Sequence, residues 1–350
     1  MLIVVNGCLN VNSHQIVGVG VEANILVIGG AGYIGSHLVK MLASEPVAFF
    51  VFDNLSTGHA DTVPTEQLII GDLSNINEIR ACFQNHKIDL VMHFASSISV
   101  GESVADPAKY YRNNVASTLN LLDAMREHDV NRIIFSSTAA VYGDPIETPI
   151  SIHHPRNPKN PYGKSKMMME DIMMDYHHAY GLQTIFLRYF NAAGADPSGD
   201  IGERHEPETH LIPLALQVAN GTRKKLVVYG TDYDTPDGTC IRDYVHVCDI
   251  AKAHIQAMYY LFQTQQSGCF NLGTSIGHSV KEVIDAVERV TEKKLSIVYA
   301  DRRAGDPPVL VADAIEAKNS LGWQPSYTKL DNIIRDAWRF IQQTGRKTEA

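Results

Sequence analysis

The sequence predicts an α/β protein: a doubly wound parallel-sheet domain joined to a smaller α/β lobe. Three observations carry this reading. Short apolar, β-branched runs alternate with helix-like stretches; the first run ends in a glycine-rich turn; and the residues with chemical potential fall at the carboxyl ends of later runs, where open parallel sheets bind ligands.

Asn24-Ile25-Leu26-Val27-Ile28 is the first run, and it ends at Gly29-Gly30-Ala31-Gly32-Tyr33-Ile34-Gly35, with a helix expected over Ser36 to Ala43. Between a strand and a helix, Gly-x-x-Gly-x-x-Gly spacing points to a dinucleotide: Gly29 permits the tight turn, Gly32 lets the backbone approach a pyrophosphate, and Gly35 allows close helix–strand packing. The next strand, Val47 to Phe52, ends in Asp53. A carboxylate there accepts hydrogen bonds from the adenosine ribose hydroxyls and repels a 2′-phosphate, which favours NAD over NADP. A purely structural glycine turn followed by an ordinary strand-end aspartate would not need all three features in register. The domain is therefore of Rossmann type.

The alternation continues through Leu68-Ile69-Ile70, which runs into Gly71-Asp72-Leu73, and through a buried strand over Ile88 to Ala95 that includes His93-Phe94-Ala95. A helix is expected over Asn114 to Asp129, and the next strand over Arg132 to Thr138. Asn160-Pro161-Tyr162-Gly163-Lys164-Ser165-Lys166 then opens a helix whose apolar stretch contains Met167, Met168, Met169, Met173 and Met174. Tyr162 and Lys166 stand four apart and share a helix face. A nearby cation favours tyrosinate, so the pair suits removal of a proton from a hydroxyl. Tyrosine and lysine are common, and a helix start with a snorkelling lysine would read the same way in isolation; the upstream glycine turn shifts the balance. Leu182 to Tyr189 is a further strand, and Cys269-Phe270-Asn271-Leu272 a late one.

The chain has 350 residues, with 30 basic and 39 acidic side chains and a net charge of −9. That balance argues against a general nucleic-acid binder. The cysteines (Cys8, Cys82, Cys240, Cys248, Cys269) are odd in number and scattered without metal or redox spacing, as expected of reduced thiols in a cytoplasmic protein. Met1 to Ala23 lacks the positive start and continuous apolar core of a secretory signal, and reads as an extension outside the fold. No later stretch is long and apolar enough to span a membrane. The pairs His153-His154 and His177-His178 have no carboxylate or cysteine pattern beside them; they are taken as packing or surface residues, and no metal ligands are assigned.

With the glycine turn, Asp53, Ser136-Ser137-Thr138, Tyr162 and Lys166 in hand, the chain resembles the extended short-chain dehydrogenases/reductases. Longer matches resemble the UDP-glucose 4-epimerase family: Val100-Gly101-Glu102-Ser103, Tyr110-Tyr111-Arg112-Asn113-Asn114, Phe135 to Gly143, Arg188-Tyr189-Phe190-Asn191, Asp196-Pro197-Ser198-Gly199, Asp237-Gly238-Thr239, Arg242 to Val247, and Arg303-Ala304-Gly305-Asp306. The resemblance spans about residues 24 to 345. It implies a tightly held NAD, UDP-galactose and UDP-glucose as substrates, a transient 4-keto sugar, and a homodimer. Tyr162 would take the 4-hydroxyl proton, Lys166 would bind the nicotinamide ribose and lower the Tyr162 pKa, and Thr138 would hydrogen-bond the reacting hydroxyl. Gly29, Gly32, Tyr33, Ile34, Gly35, Asp53, Asn54, Asp72, Leu73, Phe94, Ala95, Asn113 and Tyr189, with Tyr162 and Lys166, would line the cofactor. Asn191, Leu211, Val227, Tyr229, Arg242, Arg303 and Asp306, with Thr138 and Tyr162, would hold the UDP-sugar; the two arginines suit diphosphate by their forked donors.

Three departures stand out. Ile98 occupies a place where many epimerases carry a lysine near a cofactor phosphate, His210 replaces an asparagine of some members, and Leu310, of intermediate bulk, stands where the family discriminates N-acetyl groups. Epimerases of UDP-N-acetylglucosamine or UDP-glucuronate therefore remain alternatives. A 4,6-dehydratase needs a further acid and base, typically Asp-Glu after the Ser/Thr, but Ala139 and Ala140 stand there. An NAD-sensing module without chemistry would not need Thr138, Tyr162 and Lys166 together. The expected division is 24–189 plus about 244–272 for the sheet domain, and 190–243 plus about 274–345 for the substrate lobe.

Overall fold

The computed structural model describes residues 22–303 and 305–348. Its elements, in chain order, are β1 (Asn24–Ile28), α1 (Tyr33–Leu42), β2 (Ala48–Asp53), β3 (Leu68–Ile70), α2 (Ile76–Asn85), β4 (Leu90–His93), α3 (Val100–Ala105), α4 (Pro107–Tyr110), α5 (Ser117–Glu127), β5 (Arg132–Thr138), α6 (Pro161–Tyr180) and β6 (Gln183–Tyr189). There follow β7 (Asn191–Ala193), α7 (Leu211–Ala219), β8 (Leu226–Tyr229), β9 (Ile241–His246), α8 (Val247–Thr264), β10 (Gly268–Leu272), β11 (Gly277–Ser279), α9 (Val280–Thr291), β12 (Ile297–Ala300), β13 (Val309–Leu310), α10 (Ile315–Leu321) and α11 (Leu330–Thr348).

The large sheet has seven strands in the order β10-β6-β5-β4-β1-β2-β3. All six pairings are parallel, from β1 with β2 to β10 with β6. Helices cover both faces, which is why the strands read as continuous apolar runs rather than alternating ones. On one face Leu38, Val39 and Leu42 of α1 share a core with Met258 and Leu261 of α8 and with Leu321 and Trp323. On the other, Ile79 and Phe83 of α2, Leu121 and Met125 of α5, and Met169 and Met173 of α6 close the layer. The methionine run thus divides: Met169 and Met173 are core, whereas Met168 is exposed.

The smaller lobe is built on β9, which pairs with β11 antiparallel and with β7 and β13 parallel, while β8 and β12 form a separate parallel pair. Its core joins Ile212 and Leu216 of α7 to Val283 and Val287 of α9 and Ile333 and Ile334 of α11. The boundary expected near residue 244 falls inside β9, so the return to the large sheet begins with α8. Residues 315–323 in turn rejoin the sheet domain: Ala317, Leu321 and Trp323 lie in its core, and Trp323 Nε1 donates to the Asp249 carbonyl at 2.8 Å.

Most expected strands agree with the structure to within a residue or two. The strand expected over Ile88 to Ala95 is shorter, because the amides of Phe94 and Ala95 both turn to the Ile28 carbonyl at 2.8 and 3.2 Å. The helix expected from Asn114 begins earlier, as a π-helical turn over Tyr111–Ala116 that continues into α5. Ala23, expected in the N-terminal extension, is buried and accepts from the Ala48 amide at 3.0 Å; residues 1–21 of that extension lie outside the described residues. Cys82, Cys240, Cys248 and Cys269 are free thiols, and Cys8 lies outside the described residues. Among the described residues no helix is long and apolar enough to cross a membrane.

Candidate active site

The glycine turn leaves β1 with Gly29 at φ +77°, a left-handed backbone that glycine adopts freely. A Cβ on Gly29 would lie 2.5 Å from the Ala95 amide nitrogen, and one on Gly35 would lie 2.4 Å from the Gly29 carbonyl. A Cβ on Gly32 meets only the Gly29 carbonyl, at 3.4 Å, so its open side faces away from the protein. Gly32 caps α1 with no side-chain hydrogen bond and no acidic residue in the first turn, which leaves the helix-start amides available to an anion. Asp53 fixes the floor of this cradle: Oδ2 accepts from the Ala31 amide at 2.9 Å and Oδ1 from the Leu55 amide at 2.8 Å. Each oxygen keeps a second lone pair for a ribose hydroxyl.

The other expected cofactor residues ring the same carboxyl edge. Asn54 donates to Asp72 at 2.9 Å, joining the ends of β2 and β3, with Leu73 buried beside them. Phe94 and Ala95 follow β4, and the Phe94 ring lies 4.6 Å from that of His254. The loop after them carries Ile98, which is exposed and offers no cation. Ser97 is clasped by Asn114, whose side chain accepts from the Ser97 amide at 2.8 Å and donates to its carbonyl at 3.0 Å. Ser96 Oγ is buried without a protein partner. Asn113 donates to Asn114 at 3.0 Å. Tyr33 and Ile34 open α1, and the Tyr33 hydroxyl reaches away from the turn to the Gly194 carbonyl at 2.6 Å. An anion-accepting helix start, a glycine whose open side lets a phosphate approach, and a carboxylate with free lone pairs together fit NAD.

Three successive residues of β5 hold three residues of α6, each one turn apart. The Thr138 hydroxyl faces Tyr162 closely enough to favour its ionised form, and also accepts from the Ala140 amide at 3.1 Å. Lys166 Nζ donates to the Ser136 carbonyl at 2.8 Å, and Ser137 Oγ donates to Glu170 Oε1 at 2.5 Å. The helix keeps this alignment because Asn160 caps it, accepting from the Gly163 amide at 2.9 Å, with Pro161 in its first turn. Tyr189, at the end of β6, meets Ser136 Oγ through its hydroxyl and lies close enough to Tyr162 to feel its charge.

The electrostatics differ from the sequence expectation in one respect. Burial pushes the Tyr162 phenol above its ordinary value, and the nearby Thr138 hydroxyl counters this only in part. Lys166 lies one helical turn away with its ammonium directed elsewhere. Its ammonium turns to the Ser136 carbonyl and sits 4.8 Å from the centre of the Phe135 ring. Burial lowers the Lys166 pKa to about 7, against the opposing pull of Glu170. Both groups are thus biased toward their neutral forms, and an added positive charge nearby would favour the tyrosinate.

The expected substrate residues fall into two groups. Arg242 donates to the carbonyls of Ile241 and Pro307, each at 2.8 Å, and lies 3.8 Å from Asp306. The Arg303 guanidinium lies 4.3 Å from the centre of the Tyr229 ring, on the strand that also carries Val227. Asn191 opens β7 and Leu211 opens α7, on the side of the lobe that follows β6. Leu310, paired in register with Arg242, packs against the small cluster of Ala139, Val141, Tyr142 and Ile150 next to Thr138.

Sequence reading missed two groups. Glu170, Arg188, Arg156, Tyr142 and Asn271 form a polar network beneath Lys166; Glu170 alone takes Arg188 at 2.9 and 2.5 Å and Arg156 at 3.1 Å. Glu170 lies one further turn past Tyr162 and Lys166, a spacing that the tyrosine–lysine pattern could have been extended to include. The second group is Glu203, His205, Glu208 and His210, whose ligand atoms all lie within 4.8 Å of one another. Its signal is the spacing Glu-x-His-x-x-Glu-x-His. The paired histidines pack as expected: His177 Nδ1 donates to the Leu182 carbonyl at 2.7 Å, and His154 is buried.

Residues 26–337 match a family model described as GDP-mannose 4,6 dehydratase. The chain is 49% identical over 319 residues to the UDP-glucose 4-epimerase of Halalkalibacterium halodurans, covering 91% of this chain and 96% of the relative. It is 48% identical to that of Lacticaseibacillus casei, covering 90% and 96%. Among solved structures it is similar to the UDP-glucose 4-epimerase from Brucella ovis in complex with NAD, with TM-score 0.88 and 48% identity over 91% of this chain and 98% of that one. The enzyme from Bifidobacterium longum in complex with NAD+ and UDP gives TM-score 0.87 and 37% identity, covering 92% and 99%.

Proposed function

The chain belongs to the UDP-glucose 4-epimerase family, within the extended short-chain dehydrogenases/reductases, and from that premise we infer that it interconverts UDP-galactose and UDP-glucose through a transient 4-keto sugar. The observation that carries the reading is the alignment of Thr138 on β5 with Tyr162 on α6, with Lys166 one turn behind.

The chemistry follows from what the residues can do. The C4–H of a sugar is too weak an acid to be inverted by proton removal, so inversion needs transient oxidation. Bound NAD supplies the hydride acceptor and afterwards the donor. Thr138 orients the 4-hydroxyl, and Tyr162 takes its proton and returns it to the same oxygen once the turned-over keto sugar has regained hydride on its other face. Lys166, whose Nζ is set by the Ser136 carbonyl at 2.8 Å, would hold the nicotinamide ribose. Arg242 and Arg303 hold the diphosphate while the keto sugar turns over. The family model's dehydratase name does not transfer: Ala139 and Ala140 follow Thr138, and neither can move the additional proton that elimination requires.

A homodimer fits the exposed apolar side chains of Val100 and Val104 on α3, Leu119 on α5 and Met168 on α6; sedimentation of the purified protein tests it. A cytoplasmic location is consistent with the free thiols, and the interconversion would serve galactose metabolism.

Purified protein incubated with UDP-galactose and no added NAD should yield UDP-glucose, and Tyr162→Phe should lower the rate at least about a hundredfold. Absence of conversion with or without added NAD would overturn the substrate assignment and direct attention to UDP-glucuronate and the N-acetyl sugars.

A further inference from the structure

Between β7 and α7 the chain places four metal-ligating side chains within eight residues. Glu203 Oε1 lies 2.9 Å from His205 Nδ1 and 2.5 Å from His210 Nδ1. Glu208 lies 3.9 Å from His205 Nδ1 and 3.5 Å from His210 Nδ1. These separations bracket the edges of about 3.3–3.5 Å that a tetrahedral site with metal–ligand bonds near 2.0–2.2 Å requires. Small side-chain adjustments would bring all four donors onto one centre.

A second, independent observation concerns charge. The Glu203 and Glu208 side chains are each only 5% exposed. Among the described residues neither has a lysine or arginine within ion-pair distance; their basic neighbours are His205 and His210. Arg204, which sits between them in sequence, turns instead to Asp61 at 2.6 and 3.1 Å. Glu203 Oε1 meets the Nδ1 of both histidines, and Glu208 Oε1 accepts from the Thr209 and His210 amides at 2.7 and 2.8 Å. Both carboxylates are thus held facing the two imidazoles, where a bound cation would add the fixed positive charge that burying two carboxylates favours. Two imidazoles and two carboxylates form a donor set that zinc accepts.

We propose that Glu203, His205, Glu208 and His210 form a binding site for a divalent transition-metal ion, zinc by its donor set. The site is structural in placement. Its Arg204 and His205 line the same cavity as Gly32, Tyr33, Ser36 and His59 of the dinucleotide side. His205 packs edge-on to Tyr33, with ring centres 6.2 Å apart. His210 immediately precedes α7, whose first residue is Leu211. A cation here ties the connection between β7 and α7 into one rigid piece that touches both lobes. It lies outside the hydride chemistry and exchanges no electrons.

The test uses the full chain, stripped with a chelator and titrated with zinc alone by calorimetry. One zinc per chain should bind, and Glu203→Gln and His205→Asn should each weaken it roughly a hundredfold or more. Cobalt in place of zinc should give visible d–d bands without a thiolate charge-transfer band, and the loaded protein should melt at a higher temperature than the stripped one. Circular dichroism of each variant confirms that it is folded; should one fail to fold, the cobalt spectrum of the unaltered chain decides alone. Failure to bind zinc, equal binding by the folded variants, or a thiolate band from a cysteine site would each overturn the proposal.

Discussion

Arg188 grips Glu170 with a fork, Nε to Oε1 at 2.9 Å and Nη2 to Oε2 at 2.5 Å, in the layer directly beneath Lys166. Both side chains are buried, and the fork is completed by Arg156, by Ser137, and by Arg188 Nη1 donating to the Tyr142 hydroxyl at 3.0 Å. Removing one member of such a pair leaves an uncompensated charge. Glu170→Ala should therefore lose about 3–5 kcal/mol of stability in urea unfolding. Adding Arg188→Met should recover part of that loss, because the stranded charge goes with it.

Tyr162→Phe removes the proton acceptor while keeping the ring. Conversion of UDP-galactose should fall roughly 10²–10⁴-fold, the range for loss of a positioned acid–base group, with an unchanged circular dichroism spectrum. A variant retaining most of its activity would remove Tyr162 from the chemistry.

Arg303→Ala should act mainly on binding. Its guanidinium is exposed and lies over Tyr229, with no buried partner to strand. The expected result is a KM for UDP-galactose raised roughly ten- to hundredfold with kcat little changed, since a charge-assisted contact to the diphosphate is made in ground and transition states alike.

Gly35→Ala would place a methyl group 2.4 Å from the Gly29 carbonyl. Either α1 moves off the sheet or the turn deforms, so purified protein should carry less NAD, read from the cofactor absorbance released on denaturation. Stability should drop by about 1–3 kcal/mol, as for other overpacked sites.

Three buried histidines set the acid response. Burial lowers His93 to about 3, and His37 and His254 to about 4. The unfolded chain binds a proton at each below about pH 6.5, whereas the folded chain does not, so their contribution is complete above that value and fades as the pH falls. At pH 5 the loss is about 2 kcal/mol for each histidine. Urea midpoints measured from pH 7 down to pH 5 should show this decline, and His254→Phe should flatten it.

The legible parts of this molecule were those whose geometry is local. The glycine turn, Asp53 and the Tyr162–Lys166 pair each declare themselves within a few residues, because a turn, a strand end and one helical turn fix their form. Glu170 did not, since its partners Arg188, Arg156 and Ser137 come from a later strand, a loop and an earlier strand; in sequence it is one acidic residue among methionines. The π-helical turn at Tyr111–Ala116 has no composition that marks it, although it presents Asn114 to Ser97 and Ser165. The upward push on Tyr162 also escaped, because it comes from burial by the surrounding fold, which no short stretch of sequence displays.

Helix α1, whose start would receive the pyrophosphate, is moored to the other lobe near both of its ends. The Tyr33 hydroxyl holds the Gly194 carbonyl at 2.6 Å, and Lys40 holds Asp196 at 2.7 Å. The glycine turn therefore cannot swing open without parting bonds in the segment that follows β7. A dinucleotide whose exit required this turn to open would have those contacts added to the barrier of its own. Successive sugars would meet the same nicotinamide, and that long residence is what a catalyst requires when it must recover the hydride it has just removed.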